Sequence, residues 1–306
     1  MQQEDKVNSI VLVGGTHGNE LTGIHLVNHW QKQKKQQAYS DLNIEYFIAN
    51  PEAIAANKRY LETDLNRCFK LQDLNDITLT SFEQKLAKKI NQQLGPKGQS
   101  RVDFIIDLHT STANMQTNIV LVKVDEFHLK LAAYLKTRLN GVVVTSESAI
   151  MPDHHFLSSI SPKTLLIEIG PIAQGTLDPQ IMQKTELALS ATLDFTLKWN
   201  NNDVPASTEH LKVLQYFSRL YFPTDERGEI TATVHPDLIA QDYQVIEQGT
   251  PIFQTFDGED ILYDGDAAVI SFVNEAAYYD QKIAMCLSRP VFYDLQSAQK
   301  VAPLCQ

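Results

Sequence analysis

Short, almost unbroken apolar runs recur through the first two thirds of the chain. VNSIVLVGG, NIEYFIAN, VDFIIDLH, TNIVLVKV, GVVVTS and TLLIEIG, at 7–15, 43–50, 102–109, 117–124, 141–146 and 164–170, are rich in valine and isoleucine. Continuous rather than alternating hydrophobicity is the pattern of strands covered on both faces. Helical stretches fall between them, at roughly 20–35, 81–94, 125–140 and 178–199. The alternation predicts an α/β domain over residues 1–200, with a mostly parallel mixed sheet flanked by helices. WNNNDVPAS, 199–207, reads as a linker. Beyond it, HLKVLQYFSRLYF, GEITATVHP, DYQVIEQGTPIFQTF and AAVISFVNEAAYY are punctuated by ERG, QGTP and DGD turns, which predicts a smaller β-rich domain over 207–306.

Composition narrows the partners. The chain has 306 residues and a formal net charge of −11, with a pI near 5.3, which argues against a nucleic-acid or membrane-surface partner. Only seven arginines are present, so the position of each one matters. No apolar run nears the ~18 residues of a membrane span, and MQQEDKVNS does not look like a secretory leader. Cys68, Cys286 and Cys305 are scattered and form neither a disulfide framework nor a CxxC pair. A reduced, cytoplasmic protein acting on a small molecule is expected. A homo-oligomer is compatible with everything in the sequence.

In open α/β sheets ligands gather beyond the carboxyl ends of strands. GGTHGNE, DLHTSTANM and EIGP stand at such ends. The glycines of GGTHGNE match neither GxGxxG nor a P-loop. A tight turn would let His17 and Glu20 meet at one metal ion, although HxxE alone equally marks a glutamate at a helix N-terminus. His25 and His29, four apart, lack the HExxH signature and read as surface or interface residues. His109 closes an apolar strand two places after Asp107, which suits a third ligand oriented by a carboxylate behind it, or else a satisfied half-buried histidine. Two histidines and a carboxylate complete a catalytic zinc set. Glu168, in the apolar LLIEIGP, is either a general base raised by burial or a glutamate paired to a cation. NPEAIAANKRYLETDLNRCF, 50–69, reads as a long ordered loop carrying Arg59 and Arg67, suited to an oxyanion and a carboxylate or else to surface salt bridges.

Taken in order, GGTHGNELTG, the NP…DLNRCF loop, DLHTSTANM, EIGP, GEITATVHPDLIAQDY and VNEAAYY resemble the aspartoacylase branch of the zinc-dependent aminoacylase and carboxypeptidase superfamily. The resemblance spans nearly the whole chain. It implies a zinc-carboxypeptidase-like α/β domain, followed by a β-rich domain that shapes the active-site entrance. It implies one zinc ion on His17, Glu20 and His109, with Glu168 as general base and then proton donor. Arg59 would polarise the scissile carbonyl, Asn66 and Arg67 would take the substrate carboxylate, and Tyr278 would reach over from the second domain. The implied activity is hydrolysis of an N-acyl-L-amino acid, with N-acetyl-L-aspartate as the first candidate.

One position departs from the pattern. Members that act on aspartyl substrates carry a further arginine about ten residues before the base, where this chain has Ser158. No arginine lies between Leu139 and Ser218, so Lys163 and His154, with its neighbour His155, are the candidates to replace it. N-acyl aromatic amino acids and N-succinyl-glutamate are therefore rival substrates. A non-catalytic metal- or metabolite-binding protein on the same fold is the alternative of another class.

Overall fold

The computed structural model describes residues 6–148, 151, 153–205 and 210–302. The apolar runs become strands, and helices fill the intervals: β1 (Ser9–Gly14), α1 (Leu21–Gln33), β2 (Asn43–Ile48), α2 (Pro51–Ala55), α3 (Leu71–Asn75), α4 (Phe82–Leu94), β3 (Phe104–Thr110), β4 (Gln116–Leu121), α5 (Glu126–Arg138), β5 (Val142–Ser146), β6 (Lys163–Gly170) and α6 (Pro179–Asn200). After these come β7 (His210–Tyr221), β8 (Ala232–Val234), β9 (Val245–Ile246), β10 (Pro251–Thr255), β11 (Asp260–Leu262), β12 (Ala268–Ser271), β13 (Ile283–Asp294) and β14 (Lys300–Val301).

The stretch expected to be one loop, 50–69, contains α2. Its start is an N-cap, because the Asn50 side chain accepts from the Ala53 N–H and Pro51 occupies the first turn. Five residues are too few for a periodic apolar signal, so hydrophobic patterning passes over them.

The main sheet runs β2-β1-β3-β6-β4-β5-β7-β13-β12-β9. β2, β1, β3 and β6 are parallel, β4 is antiparallel to β6, and β5 is parallel to β4. The sheet is therefore mixed and mostly parallel in its first part. It does not stop at the linker: Thr145 and Ser146 of β5 pair with Leu214 and Gln215 of β7, which carries the sheet into the antiparallel C-terminal part. A separate sheet, β11-β10-β8, flanks that part.

Alternate residues of each strand face opposite layers. Leu12, Ile106 and Ile167 pack with residues of α1, α5 and α6, whereas Val11, Val13 and Ile105 pack against Ala87, Ile90 and Leu94 of α4. α6 keeps three threonines in its buried face because each hydroxyl donates to the carbonyl one turn back, as Thr185 does to Ile181. The polar residues of interest leave the sheet on the α4 side, at the carboxyl ends of β1, β3 and β6.

Candidate metal centre and substrate pocket

The turn after β1 is set by two glycines. Gly15 has φ +73°, which L side chains rarely adopt. A Cβ on Gly18 would lie 2.2 Å from the backbone of Ala53, so the turn presses onto α2 at a distance only glycine allows. Gly18 N–H also donates to the Arg59 carbonyl at 3.1 Å, tying the turn to the loop that follows α2. His17 and Glu20 are consequently both buried and aimed at one point. Glu20 precedes α1 but makes no capping hydrogen bond to it. Its carboxylate meets His17 Nδ1 at 2.6 Å and His109 Nδ1 at 3.0 Å, and it accepts from the Thr110 N–H at 3.1 Å.

Both converging ring atoms are Nδ1, and they lie 3.2 Å apart. Two nitrogens bound to one tetrahedral zinc at about 2.0–2.1 Å lie about 3.3 Å apart, so the spacing fits a shared ion. The outward nitrogens support the same reading. His17 Nε2 faces Asp64 Oδ1, and His109 Nε2 faces Asp107 Oδ2, each at 3.0 Å. A carboxylate behind an imidazole is the arrangement that orients metal-bound histidines; Asp64 makes that hydrogen bond to His17, and Asp107 lies against the outer nitrogen of His109. Asp107 is itself held by the Thr16 hydroxyl at 2.8 Å. His17, Glu20 and His109 are thus able to hold a metal ion.

The buried charges of the centre act strongly on one another. Burial would raise the Glu20 carboxyl, but the rings of His17 and His109 hold it well below the usual carboxylate range. Burial likewise opposes a charged His109, yet Asp107 and Glu20 lift its pKa well above that of an ordinary histidine. Arg59 bridges the two halves of the centre. Its Nη1 donates to Glu20 at 3.0 Å and its Nη2 to Asp64 at 3.1 Å. Asp64 is held low, against burial, by Arg59 and His17.

A pocket opens above this cluster. Arg59, Asn66, Arg67, Glu168 and Tyr278 line it together with His17 and His109. Glu168 stands beside His109 in the β3/β6 register. It opens partly to the pocket, and burial and the negative charge of Glu20 push its carboxyl up to about 8. Asn66 and Arg67 sit in a short 3-10 turn capped by Asp64, whose Oδ1 accepts from the Asn66 N–H at 2.9 Å. Tyr278 belongs to a second such turn, Ala276–Gln281. Glu275 starts that turn and fastens it to the β3–β4 loop by accepting from the Ser111 hydroxyl and the Ala113 N–H.

The two residues expected to replace the second arginine are not brought to the pocket. Lys163 stands at the other end of β6, with its ammonium 5.4 Å from the Phe127 ring. Glu168 is five positions further along the strand, about 16 Å of chain away. His154 is buried and packs against the Phe156 ring, tilted, with centroids 4.9 Å apart. It borders a separate cavity with Lys97 and Asp153. His155 is buried beside it, and Ser158 is fully enclosed. His25 and His29 lie on the exposed face of α1. Two charged groups of the site, Asp64 and Glu147, carry no signal in the sequence. Asp64 lay inside DLNR without a role, and Glu147 had no motif around it.

Residues 6–196 match the succinylglutamate desuccinylase/aspartoacylase catalytic domain, and residues 209–290 match the AstE/AspA barrel-sandwich hybrid domain. A probable aspartoacylase from Trichodesmium erythraeum is 40% identical over 93% of this chain and 97% of its own. An N-acyl-aromatic-L-amino acid amidohydrolase (carboxylate-forming) from Xenopus tropicalis is 38% identical, covering 91% of each chain. The crystal structure of murine aminoacylase 3 superposes with a TM-score of 0.89 at 30% identity, over 95% of this chain and 97% of that one. With both halves matched in order and relatives aligned over almost its whole length, the chain belongs to the succinylglutamate desuccinylase/aspartoacylase family.

Proposed function

We propose that the chain is a zinc-dependent amidohydrolase that cleaves N-acyl-L-amino acids, with one zinc ion held by His17, Glu20 and His109. The observation that carries this reading is the meeting of two Nδ1 atoms and one carboxylate within 3.2 Å of one another, under a pocket lined by Glu168 and Arg59. Zinc bound there would supply Lewis acidity and would lower the pKa of a bound water to about 7. Glu168, its carboxyl near the working pH, accepts a proton and later returns it to the departing amine nitrogen. Arg59 holds a guanidinium beside the ligands, where it polarises the scissile carbonyl and stabilises charge developing on its oxygen. Asn66 and Arg67 take the substrate carboxylate, and Tyr278 reaches in from the C-terminal part. In this reading residues 1–200 form the catalytic unit and 207–306 shape the entrance. The acidic balance and the free, buried Cys68 and Cys286 support a cytoplasmic protein with a small-molecule partner.

The names of the relatives support both N-acyl-aspartate and N-acyl aromatic amino acids as substrates. The test is hydrolysis of N-acetyl-L-aspartate and N-acetyl-L-tyrosine by zinc-loaded protein, repeated after chelation and after zinc is restored. Turnover of either substrate that chelation abolishes and zinc rescues is expected. Zinc-loaded protein silent on every N-acyl amino acid tried would favour a non-catalytic binding protein. His109→Ala is expected to purify without zinc, and full occupancy would remove His109 from the ligand set.

A further inference from the structure

Glu147 is the one charged group of the pocket that the proposed chemistry leaves unused. It follows β5 directly, and strand alternation puts it on the same face as Thr145. Thr145 pairs with Val120, and Val120 with Leu166, so a continuous row crosses three strands toward Glu168. Thr145, Glu147, Val120 and Leu166 all line the pocket.

The charges along the wall can be counted. Two guanidiniums line it, Arg59 and Arg67, and two carboxylates, Glu147 and Glu168. Arg59 is committed to Glu20 and Asp64. Arg67 lies over the Phe156 ring at 5.5 Å and donates one N–H to the Asn66 carbonyl, which leaves part of its fork for a ligand. Burial raises the Glu147 carboxyl above its ordinary value, and the cations that act against this and favour its charge are Arg67 and Arg219, the latter over the Tyr216 ring at 5.8 Å. Much of the remaining wall is neutral, with Tyr216, Ser271 and Ser288 beside Phe156. Every N-acyl-L-amino acid brings an α-carboxylate, and Arg67 can neutralise one. A second substrate carboxylate, whether on the side chain or at the end of a succinyl group, meets Glu147 in a poorly hydrated cavity. Like charges there repel strongly, and Glu147 already draws on the positive charge that would compensate.

We propose that Glu147 is a specificity-determining residue that rejects doubly charged substrates, so that the pocket takes N-acyl-L-amino acids whose side chain and acyl group are both neutral. This rests on the deacylase reading above. It predicts discrimination between substrates of nearly equal shape, because the second carboxylate and not its size is what the wall refuses.

The experiment compares N-acetyl-L-asparagine with N-acetyl-L-aspartate at pH 8, using zinc-loaded full-length protein and Glu147→Gln. The wild type is expected to favour asparagine at least tenfold in kcat/KM. Glu147→Gln is expected to shrink that ratio at least tenfold, and Glu147→Ala, the second variant, is expected to move it in the same direction. A wild type that prefers aspartate overturns the proposal, as does a ratio that neither variant moves. Loss of packing alone lowers both rates together and leaves the ratio in place. If the wild type hydrolyses neither compound, N-acetyl-L-tyrosine decides the deacylase reading, which stands if that substrate turns over and fails if it does not. Calorimetric binding of the same pair to the wild type and Glu147→Gln then decides the charge selection by the same tenfold criterion.

Discussion

Residues 61–63 of the loop that carries Arg59, Asp64, Asn66 and Arg67 are held by one buried carboxylate, and removing its charge should loosen the site. Glu83, in the first turn of α4, is fully buried. One of its oxygens accepts from the Leu61 N–H at 2.7 Å and the Asn50 side-chain amide at 3.3 Å. The other accepts from the N–H groups of Glu62 and Thr63, at 3.1 and 3.0 Å. The next residue is Asp64, which grips both His17 and Arg59. Glu83→Gln keeps the shape but replaces one oxygen by an NH2 group that faces two donors. Hydrogen bonds to a charged group are worth about 1.5–3 kcal/mol each, so losing two costs about 3–6 kcal/mol. Domains of ordinary stability have only about 5–15 kcal/mol in total. Release of the loop as a local unit can limit the global loss, but it would carry Arg59 and Asp64 away from the ligands. The variant should therefore fold and yet lose at least tenfold in kcat/KM on whichever N-acetyl amino acid the wild type hydrolyses. Urea unfolding followed by circular dichroism, together with steady-state kinetics, measures both effects. Stability within 1 kcal/mol of wild type combined with activity within twofold would refute the clamp.

Glu168→Gln should retain zinc but lose about 10²–10⁴-fold in activity, the usual contribution of a positioned general base; near-full turnover would remove Glu168 from that role. Asp64→Ala should weaken zinc binding about 10–100-fold, because it strips the carboxylate behind His17; competition with a chromophoric chelator measures the constant, and an unchanged affinity would make Asp64 a partner of Arg59 alone. His154, buried and near the positive Lys97, has its pKa lowered from 6.5 to about 4. A histidine depressed in the folded state adds stability above the unfolded pKa, and that contribution is lost as pH falls from about 6.5 to about 4, here about 3 kcal/mol. His154→Leu should flatten the stability profile across that window, and urea titrations in which both proteins decline in parallel would show that burial does not keep this ring neutral.

Chemistry was legible where the groups that cooperate are close along the chain. His17 and Glu20 are three residues apart, and Asp107 and His109 share a strand end, so spacing alone brings each pair together. The apolar runs were legible for a related reason, since a strand covered on both faces leaves no polar positions to blur it. What escaped notice depends on groups that only the fold brings together. Asp64 reaches His17 because Glu83, nineteen residues further on, holds the three N–H groups before it. Nothing in the pattern of LETDLNR predicts that acceptor. The junction of β5 with β7 joins segments some seventy residues apart, so nothing local to the linker shows that the sheet continues beyond it. Lys163 and His154 show the opposite error, in which nearness to Glu168 in sequence stood in for nearness in space. An extended strand moves about 3.3 Å per residue, so a cation five places from Glu168 on that strand is among the groups least able to reach its neighbourhood. Glu147, by contrast, is twenty-one residues from Glu168 and lines the same pocket. The substrate preference is therefore better sought where β4, β5 and β6 lie side by side than in the residues just before Glu168.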